Sequence, residues 1–250
     1  MQTSWSEPQK IVAAIQARMG STRLPGKVLM DIGGETTLAR VVKRVRRAAL
    51  VEEIVVATTD SPGDDAIVRE CERLGVSCFR GCESDVLDRY YQASQAFACD
   101  LIVRITSDCP LIDGSVIDDT IRTFCADRAD YASNVFPRTY PRGLDTEVFS
   151  ASALARAWQQ ACKPHQREHV TPYFYEHPQI FRTAAHRASR DYSHYRWTLD
   201  TDEDLQLIRA IYARLGNRDD LRWQDAIAVM EREPELASLN SQVVPKAVAS

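Results

Sequence analysis

Short apolar runs alternate with segments of helical periodicity through the first half of the chain. The runs are continuous and rich in β-branched residues, which is typical of strands buried on both faces of a sheet. They cover residues 11–15, 54–57, 76–79 and 101–105. Apolar residues recur at helical spacing over 38–49, 61–74 and 85–97. This order predicts an α/β fold in which helices cover both faces of a parallel sheet.

The second half of the chain has a less regular pattern. It predicts strands over 131–135, 146–149, 181–186 and 195–199, and helices over 151–162, 201–215 and 224–232. Residues 136–143 contain two prolines and a glycine, so they are predicted to form a loop. We expect a single domain over 10–235, with tails at 1–9 and 238–250.

Composition narrows the possible functions. The chain has 31 Lys and Arg against 35 Asp and Glu and a net charge of −4, so a dedicated DNA-binding protein is not expected. Because no run of about 18 apolar residues occurs, no transmembrane helix is predicted. The first ten residues lack the apolar core of a secretory signal. The seven cysteines lack a metal-binding spacing, so we expect reduced thiols in a cytoplasmic protein.

The loop after the first predicted strand has the composition of an anion site. In parallel α/β sheets, ligands bind beyond the carboxyl ends of the strands. This loop contains Arg18, Arg23 and Lys27, and Gly20 and Gly26 let backbone amides approach an anion. The Walker pattern is absent, but these residues predict a polyphosphate-binding loop. The alternative is a solvated basic loop.

Two carboxylates stand where predicted strands end. They belong to Asp108 and Asp200, and they could hold Mg²⁺ if they face each other across the sheet. The alternative for Asp108 is a turn residue before Pro110. Asp113 is favoured as a helix cap, and the acids at 202–204 are explained by the first turn of a helix.

Three weaker features leave alternatives open. Residues 81–89 could contact a bound base or only cap a helix at Ser84. Arg104 lies within a predicted strand, and its side chain could contact a ligand or form a salt bridge. His169 is favoured as a surface or packing residue, and the histidines show no spacing typical of zinc.

The stretch 11–27, with the sequence IVAAIQARMGSTRLPGK, resembles the opening of the sugar-activating cytidylyltransferases. That family includes the CMP-Kdo synthetases, the acylneuraminate cytidylyltransferases and the SpsF-like group, which the chain resembles most. The stretches RITSDCPLID, GLDTEVFS, REHVTPY and WTLDTDEDL resemble the SpsF-like group in the same order. The resemblance spans residues 10–215 and implies a Rossmann-like three-layer sandwich of GT-A type, usually a homodimer.

The resemblance also implies a reaction and a set of site residues. CMP would pass from CTP to a sugar hydroxyl, with pyrophosphate released and Mg²⁺ as cofactor. Residues 10–128 would form the nucleotide-binding half, and 129–235 the half that binds the sugar and dimerises. The expected catalytic residues are Arg18, Lys27 and Asp108, and the expected metal ligands are Asp108 and Asp200. The expected nucleotide-binding residues are Gln16, Ala17, Arg18, Ser21, Arg23, Lys27, Ser84, Asp85, Arg89, Arg104 and Ser107. The expected sugar-binding residues are Asn134, Arg138, Arg142, Asp145 and Glu147.

The expected acceptor is an acidic sugar of the 2-keto nonulosonic acid type, used in surface polysaccharide or glycan biosynthesis. Arg138 and Arg142 stand beside Tyr140 and could grip its carboxylate through paired hydrogen bonds. The alternative is that these arginines are solvated loop charges. Because Lys27 follows a Pro-Gly pair in a loop, its loss is expected to reduce turnover far more than stability.

Other functions remain open alongside this one. They are a GT-A-type glycosyltransferase, a cytidylyltransferase for a phosphorylated or phosphonate alcohol, and a nucleotide-binding scaffold protein. The expected partners are CTP and the acceptor, without nucleic acid or a membrane.

Overall fold

The structure is a computed structural model that describes residues 10–244 of the 250-residue chain. The apolar runs of the first half form parallel strands at the centre of a seven-stranded sheet. The strands are β1 (Ile11–Gln16), β2 (Asp31–Ile32), β3 (Glu35–Thr36), β4 (Glu53–Thr59), β5 (Ser77–Gly81), β6 (Leu101–Thr106), β7 (Tyr131–Ser133), β8 (Glu147–Ser150) and β9 (Thr183–Ala185).

The order of strands in the main sheet is β5-β4-β1-β6-β8-β7-β9, while β2 and β3 form a separate hairpin. Strand β1 pairs in parallel with β4 and β6, and β4 pairs in parallel with β5. Among the described strands of the main sheet, only β8 runs antiparallel to its neighbours, which are β6 and β7. The prediction of a mostly parallel sheet is therefore confirmed.

Helices cover both faces of this sheet. They are α1 (Thr37–Val45), α2 (Asp65–Leu74), α3 (Val86–Ala96), α4 (Gly114–Ala126), α5 (Ala151–Gln160), α6 (Pro164–His169), α7 (Pro172–Glu176), α8 (Asp202–Arg214) and α9 (Trp223–Arg232). Along β1, Ala13 and Ile15 pack with α1, α2 and α4, whereas Val12 and Ala14 pack with α3, α5 and α7. Because side chains alternate along a strand, this division confirms a three-layer α/β sandwich.

Helix boundaries follow the capping residues in the sequence. Asp113 caps α4, since its carboxylate accepts the Ser115 N–H at 2.8 Å, so the prediction of a cap there is confirmed. Thr201 caps α8 through the Asp204 N–H. Gly75 ends α2 with a φ of 58°, in the left-handed region that glycine tolerates.

The predicted strand over 195–199 is wrong. A single isolated β-bridge, between Arg196 and Arg142, joins this segment to the loop before β8. Within that bridge the Trp197 N–H donates to the Arg142 carbonyl at 2.6 Å, and further along the Leu199 N–H donates to the Asp108 carbonyl at 2.8 Å. Gly143 permits this close crossing, because a Cβ there would lie 2.7 Å from the Trp197 carbonyl carbon. The segment therefore ties loops together instead of extending the sheet.

The predicted tail at 238–250 is wrong for residues 238–240, which belong to a helix. A 3₁₀ helix spans Pro234–Asn240 and contacts α8 and α9. Asn240 is buried, and its amide donates to the Arg196 carbonyl and to the Asp204 carboxylate. The predicted tail at 1–9 lies outside the described residues. Within residues 10–244, no helix is long and apolar enough to cross a bilayer.

Candidate active site

A cavity of about 490 Å³ opens beyond the carboxyl ends of β1 and β6. Its position agrees with the rule that parallel α/β sheets bind ligands at this edge. Many of the residues expected in the site line its wall. They are Gln16, Arg18, Ser21, Arg23, Lys27, Ser84, Arg104, Ser107, Asp108 and Asp200.

The loop after β1 folds back on itself to form one side of the cavity. The Gly26 N–H donates to the Met19 carbonyl at 3.0 Å, and Gly26 takes a φ of 71°. That left-handed conformation favours glycine, and it starts the 3₁₀ turn Lys27–Leu29. Ala17 is buried and its N–H donates to the Ala57 carbonyl, so neither its side chain nor its amide faces the cavity.

Lys27 occupies the centre of the site. Its ammonium lies 2.7 Å from Asp108 Oδ2, 2.8 Å from Asp200 Oδ1 and 2.8 Å from the Leu199 carbonyl oxygen. Burial by itself would lower the pKa of Lys27, but the two carboxylates together outweigh burial and raise that pKa. The ammonium is therefore firmly protonated.

The structure brings Asp108 and Asp200 to the same ammonium. For each, burial favours the neutral acid, but Lys27 together with the neighbouring donors outweighs burial and holds the carboxyl pKa below its usual value. Asp108 Oδ1 accepts the Thr106 hydroxyl at 2.6 Å. Asp200 Oδ2 accepts from Arg196 at 2.7 Å and forms an ion pair with Arg23 at 2.9 Å. Both carboxylates are ionised and each of their oxygens has a donor.

Arg18 and Arg104 differ in how freely they can bind a ligand. Arg18 is exposed and makes no hydrogen bond or ion pair within residues 10–244. Arg104 forms an ion pair with Glu147, which confirms the salt-bridge interpretation, and it also lines the cavity, where a ligand contact stays a prediction. Its Nη2 lies 3.4 Å from Gln16 Oε1, and its Nε has no partner in the described part of the chain.

The segment after β5 contains three expected nucleotide-binding residues, Ser84, Asp85 and Arg89. Of these three, only Ser84 lines the cavity. Asp85, not Ser84, caps α3, by accepting the Asp88 N–H at 2.9 Å. Asp85 also pairs with Arg167, which joins α3 to α6. Arg89 is fully buried, and none of its three guanidinium nitrogens has a partner within residues 10–244. Burial consequently lowers the pKa of Arg89.

The five expected sugar-binding residues do not line this cavity. Asn134 is buried and is bonded to the loop before β8. Its amide donates to the Leu144 carbonyl at 2.7 Å, and its Oδ1 accepts the Thr146 N–H at 2.9 Å. Arg138 grips Asp145 with two hydrogen bonds of 2.6 and 2.8 Å.

Glu147 and Arg142 are also placed away from the cavity. Glu147 is buried against Arg104 and accepts the Tyr131 hydroxyl at 2.6 Å. Arg142 lines a separate cleft near the C-terminal 3₁₀ helix, and its guanidinium has no partner within residues 10–244. Tyr140 is buried against Trp223, so its ring does not stand beside a ligand.

Comparison with known proteins decides the family. A family model described as cytidylyltransferase matches residues 12–231. The chain belongs to the cytidylyltransferase family. The spore coat polysaccharide biosynthesis protein SpsF of Bacillus subtilis is 36% identical, over 91% of this chain and 97% of that protein. A solved cytidylyltransferase from Leptospira borgpetersenii serovar Hardjo-bovis is 34% identical, with a TM-score of 0.89 over 95% of this chain and 100% of that chain.

The fold has a more distant counterpart in a CMP:2-keto-3-deoxy-manno-octonic acid synthetase solved with CTP. That structure is 21% identical, with a TM-score of 0.65 over 82% of this chain and 99% of its own. The expected membership of an SpsF-like and CMP-Kdo synthetase type of cytidylyltransferase is confirmed, as is the expected fold. The protein is a CTP-dependent nucleotidyltransferase.

The two aspartates of this cytidylyltransferase fit the chemistry of Mg²⁺, which is usually bound by one or two carboxylates together with substrate phosphates. Within residues 10–244, no group of three or more His, Cys, Asp or Glu side chains could hold a metal ion. A metal bound by Asp108 and Asp200 therefore needs further oxygen ligands. The phosphates of a nucleotide are the ligands that this site would receive.

Some residues of the cytidylyltransferase site carry no clear signal in the sequence. Glu168 and His169 line the cavity, although His169 is favoured by its type as a surface or packing residue. Behind them Val170 has a φ of 70°, and the Thr171 N–H donates to the His169 carbonyl at 2.8 Å. This strained γ-turn in a buried β-branched residue is visible only in three dimensions.

Proposed function

We propose that this cytidylyltransferase transfers CMP from CTP to a hydroxyl of an acidic sugar of the 2-keto nonulosonic acid type and releases pyrophosphate. The observation that carries the transfer is the contact of Lys27 with both Asp108 and Asp200 beside the cavity. At this contact, the cationic loop after β1 and two ionised carboxylates lie beside a cavity that can hold a nucleotide. The name of the Bacillus relative supports a role in surface polysaccharide or glycan biosynthesis.

Charge neutralisation and positioning account for most of the proposed catalysis. CTP carries about four negative charges, and the acceptor hydroxyl must attack the α-phosphorus in line with the leaving pyrophosphate. Arg18 is free to bind the triphosphate, and Arg23 and Lys27 lie on the same wall. Mg²⁺ held by Asp108 and Asp200 would neutralise phosphate charge and lower the pKa of the attacking hydroxyl.

The acidic acceptor rests on two supports. The solved synthetase that shares the fold is named for a 2-keto sugar acid. The second support is chemical: a guanidinium binds a carboxylate through two parallel hydrogen bonds, and that of Arg142 has no partner within residues 10–244. Arg142 would have to reach the acceptor from the separate cleft that it lines. Arg138 would first have to release Asp145.

The test measures pyrophosphate release from CTP with Mg²⁺ and a panel of acceptors. The panel contains 2-keto sugar acids such as pseudaminic and legionaminic acid, their carboxamides, and phosphorylated and phosphonate alcohols. The carboxamides should lose on the order of 10²-fold in kcat/KM, because a charge-assisted pair is lost. Equal use of acid and amide, or activity only with the alcohols, would reject the acidic acceptor and leave cytidylyl transfer standing. Binding of CTP without turnover of any acceptor would favour a scaffold protein.

We extend the proposal to a homodimer located in the cytoplasm. The family resemblance supports the dimer, and the seven unpaired cysteines support a reducing compartment. Sedimentation velocity on the full chain should give a single species of twice the 28.2 kDa monomer mass. A monomer at micromolar concentration would contradict the dimer.

A further inference from the structure

Lys27 has no free donor with which to bind a phosphate. An ammonium has three N–H groups. In this structure they face three acceptors, which are Asp108 Oδ2 at 2.7 Å, Asp200 Oδ1 at 2.8 Å and the Leu199 carbonyl at 2.8 Å. The side chain is only 12% exposed. For Lys27 to reach a triphosphate, it must first leave the two carboxylates.

Each carboxylate oxygen already faces a donor or a cation. Thr106 donates to Asp108 Oδ1, Arg196 donates to Asp200 Oδ2, and Arg23 forms an ion pair with the same Asp200 oxygen. The two remaining oxygens are those that Lys27 holds. A cation that bridges Asp108 and Asp200 would compete for the position of the Lys27 ammonium, which contacts both carboxylates and repels a second positive charge.

Charge balance makes this exchange depend on an anion. Three cationic side chains, Lys27, Arg23 and Arg196, meet three carboxylates, Asp108, Asp200 and Asp204. The cluster is neutral as it stands. A divalent cation entering alone would add two uncompensated positive charges, which a poorly solvated site disfavours. A nucleotide triphosphate brings about four negative charges and can accept the displaced ammonium.

We propose that Lys27 is a built-in counter-ion that keeps Asp108 and Asp200 closed to divalent cations until a nucleotide triphosphate draws the ammonium away. Metal and nucleotide then bind as a coupled pair, and each raises the affinity of the site for the other. This inference rests on the proposed function for its metal and its nucleotide. It concerns the regulation of the site and not the identity of the acceptor.

The experiment measures Mn²⁺ binding to the nucleotide-free protein by electron paramagnetic resonance, with Mn²⁺ as the probe for a divalent cation. Wild type is compared with Lys27→Met, which removes the ammonium and keeps most of the chain length. Lys43→Met is the control, because Lys43 also contacts two carboxylates, Glu35 at 2.5 Å and Asp219 at 3.6 Å. Without Lys43, these two carboxylates keep the ion pairs with Arg73 and Arg40, whereas the ion pair of Asp108 in the described residues is with Lys27. Thermal unfolding with and without Mn²⁺ provides a second readout, since a bound ligand stabilises the folded state.

Lys27→Met should bind Mn²⁺ at least about tenfold more tightly than wild type and should gain thermal stability on adding Mn²⁺, because the competing charge is gone. Lys43→Met should behave as wild type. If Lys27→Met does not fold, Lys27→Gln, purified in Mg²⁺ and then dialysed, replaces it. Equal Mn²⁺ affinity in wild type and the Lys27 variants would overturn the inference. So would tighter binding that persists in Lys27→Met with Asp108→Asn, because the metal would then lie elsewhere.

These outcomes are separate from those that test the proposed function. A protein that releases no pyrophosphate with any acceptor, but whose Lys27→Met variant gains Mn²⁺ affinity, keeps the inference and loses the reaction. A protein that turns over CTP while no Lys27 variant binds Mn²⁺ more tightly keeps the reaction and loses the inference.

Discussion

Asp204 holds Arg196 through both oxygens of its carboxylate, at 3.0 Å from Nε and 3.1 Å from Nη2. The same Nη2 reaches Asp200 at 2.7 Å. Asp204 is fully buried, and it also accepts the backbone N–H groups of Asp200 and Thr201. Asp204, in the first turn of α8, therefore does more than interact with the helix dipole, because it positions Asp200, which faces the cavity.

Asn240 extends this arrangement into the C-terminal 3₁₀ helix. Its amide donates to the Arg196 carbonyl at 3.0 Å and to Asp204 Oδ1 at 2.8 Å. Asn240→Ala leaves two buried acceptors short of a donor and should lower the free energy of unfolding by about 1–3 kcal/mol. Urea denaturation measures this change. Ser241→Ala, at an exposed neighbouring hydroxyl, is the control, and equal stability of both variants would show that the Asn240 contacts contribute little.

Replacement of either site aspartate by asparagine should remove Mg²⁺-dependent pyrophosphate release while the fold persists. Asparagine keeps the shape of the side chain but loses the charge that a hard cation requires. The comparison is between Asp108→Asn, Asp200→Asn and the control Asp119→Asn, whose carboxylate is 47% exposed on α4. Release of pyrophosphate is followed as Mg²⁺ is varied, and circular dichroism reports the fold. Normal activity at low millimolar Mg²⁺ in either site variant would remove that residue from the metal site.

The structure changes the expectation for Lys27. From its loop position, substitution was expected to affect turnover far more than stability, but the ammonium is the shared partner of two ionised carboxylates. Lys27→Ala should lower turnover about 10²–10³-fold. It should also lower the free energy of unfolding on the order of 2 kcal/mol, below the cost for a fully buried pair because the carboxylates are partly exposed.

A double variant separates charge from packing at Lys27. Lys27→Ala with Asp200→Asn removes both members of one ion pair, so the double variant should lose less stability than the sum of the two single losses. Guanidinium or urea unfolding of both single variants and the double variant gives the coupling. Additive losses would mean that Lys27 stabilises the fold through packing and not through its charge.

The site features that follow from sequence are those set by strand ends. Asp108 is adjacent to β6 in the chain, and Lys27 lies in the loop that leaves β1, so topology alone brings them to one edge of the sheet. Asp200 was placed there from a predicted strand that does not exist. It nevertheless arrives, because the segment before it donates from Leu199 to the Asp108 carbonyl.

The features that do not follow from sequence depend on which partner a side chain finds. A loop arginine such as Arg138 looks the same whether it faces solvent, a ligand or Asp145, and only the folded chain shows the bidentate pair. The C-terminal residues have a weak apolar pattern. Their docking combines the burial of Leu236 in the core with the two polar contacts of Asn240, whose partners lie 36 or more positions away in the chain.

His186 should make the stability of the protein depend on pH near neutrality. Its ring is half-buried, with Nε2 at 2.9 Å from the Tyr140 hydroxyl and Nδ1 at 3.2 Å from the Thr123 hydroxyl. Burial lowers the pKa of His186 below its usual value of 6.5, and the charge of Asp119 opposes this only in part. The folded state therefore prefers the neutral ring.

The sign of the effect follows from proton binding. As the pH falls through 6.5, His186 takes up a proton in the unfolded chain before it does so in the folded chain, so the free energy of unfolding decreases towards acid. Above that pH the contribution is fully present.

In His186→Gln, the free energy of unfolding should depend less on pH than in wild type between pH 7.5 and pH 5.5, measured by urea unfolding at each pH. His194→Gln, at an exposed histidine, should keep the wild-type slope. Identical slopes for His186→Gln and wild type would show that burial of this ring does not set the pH dependence, and a steeper slope would mean that the folded state stabilises the protonated form.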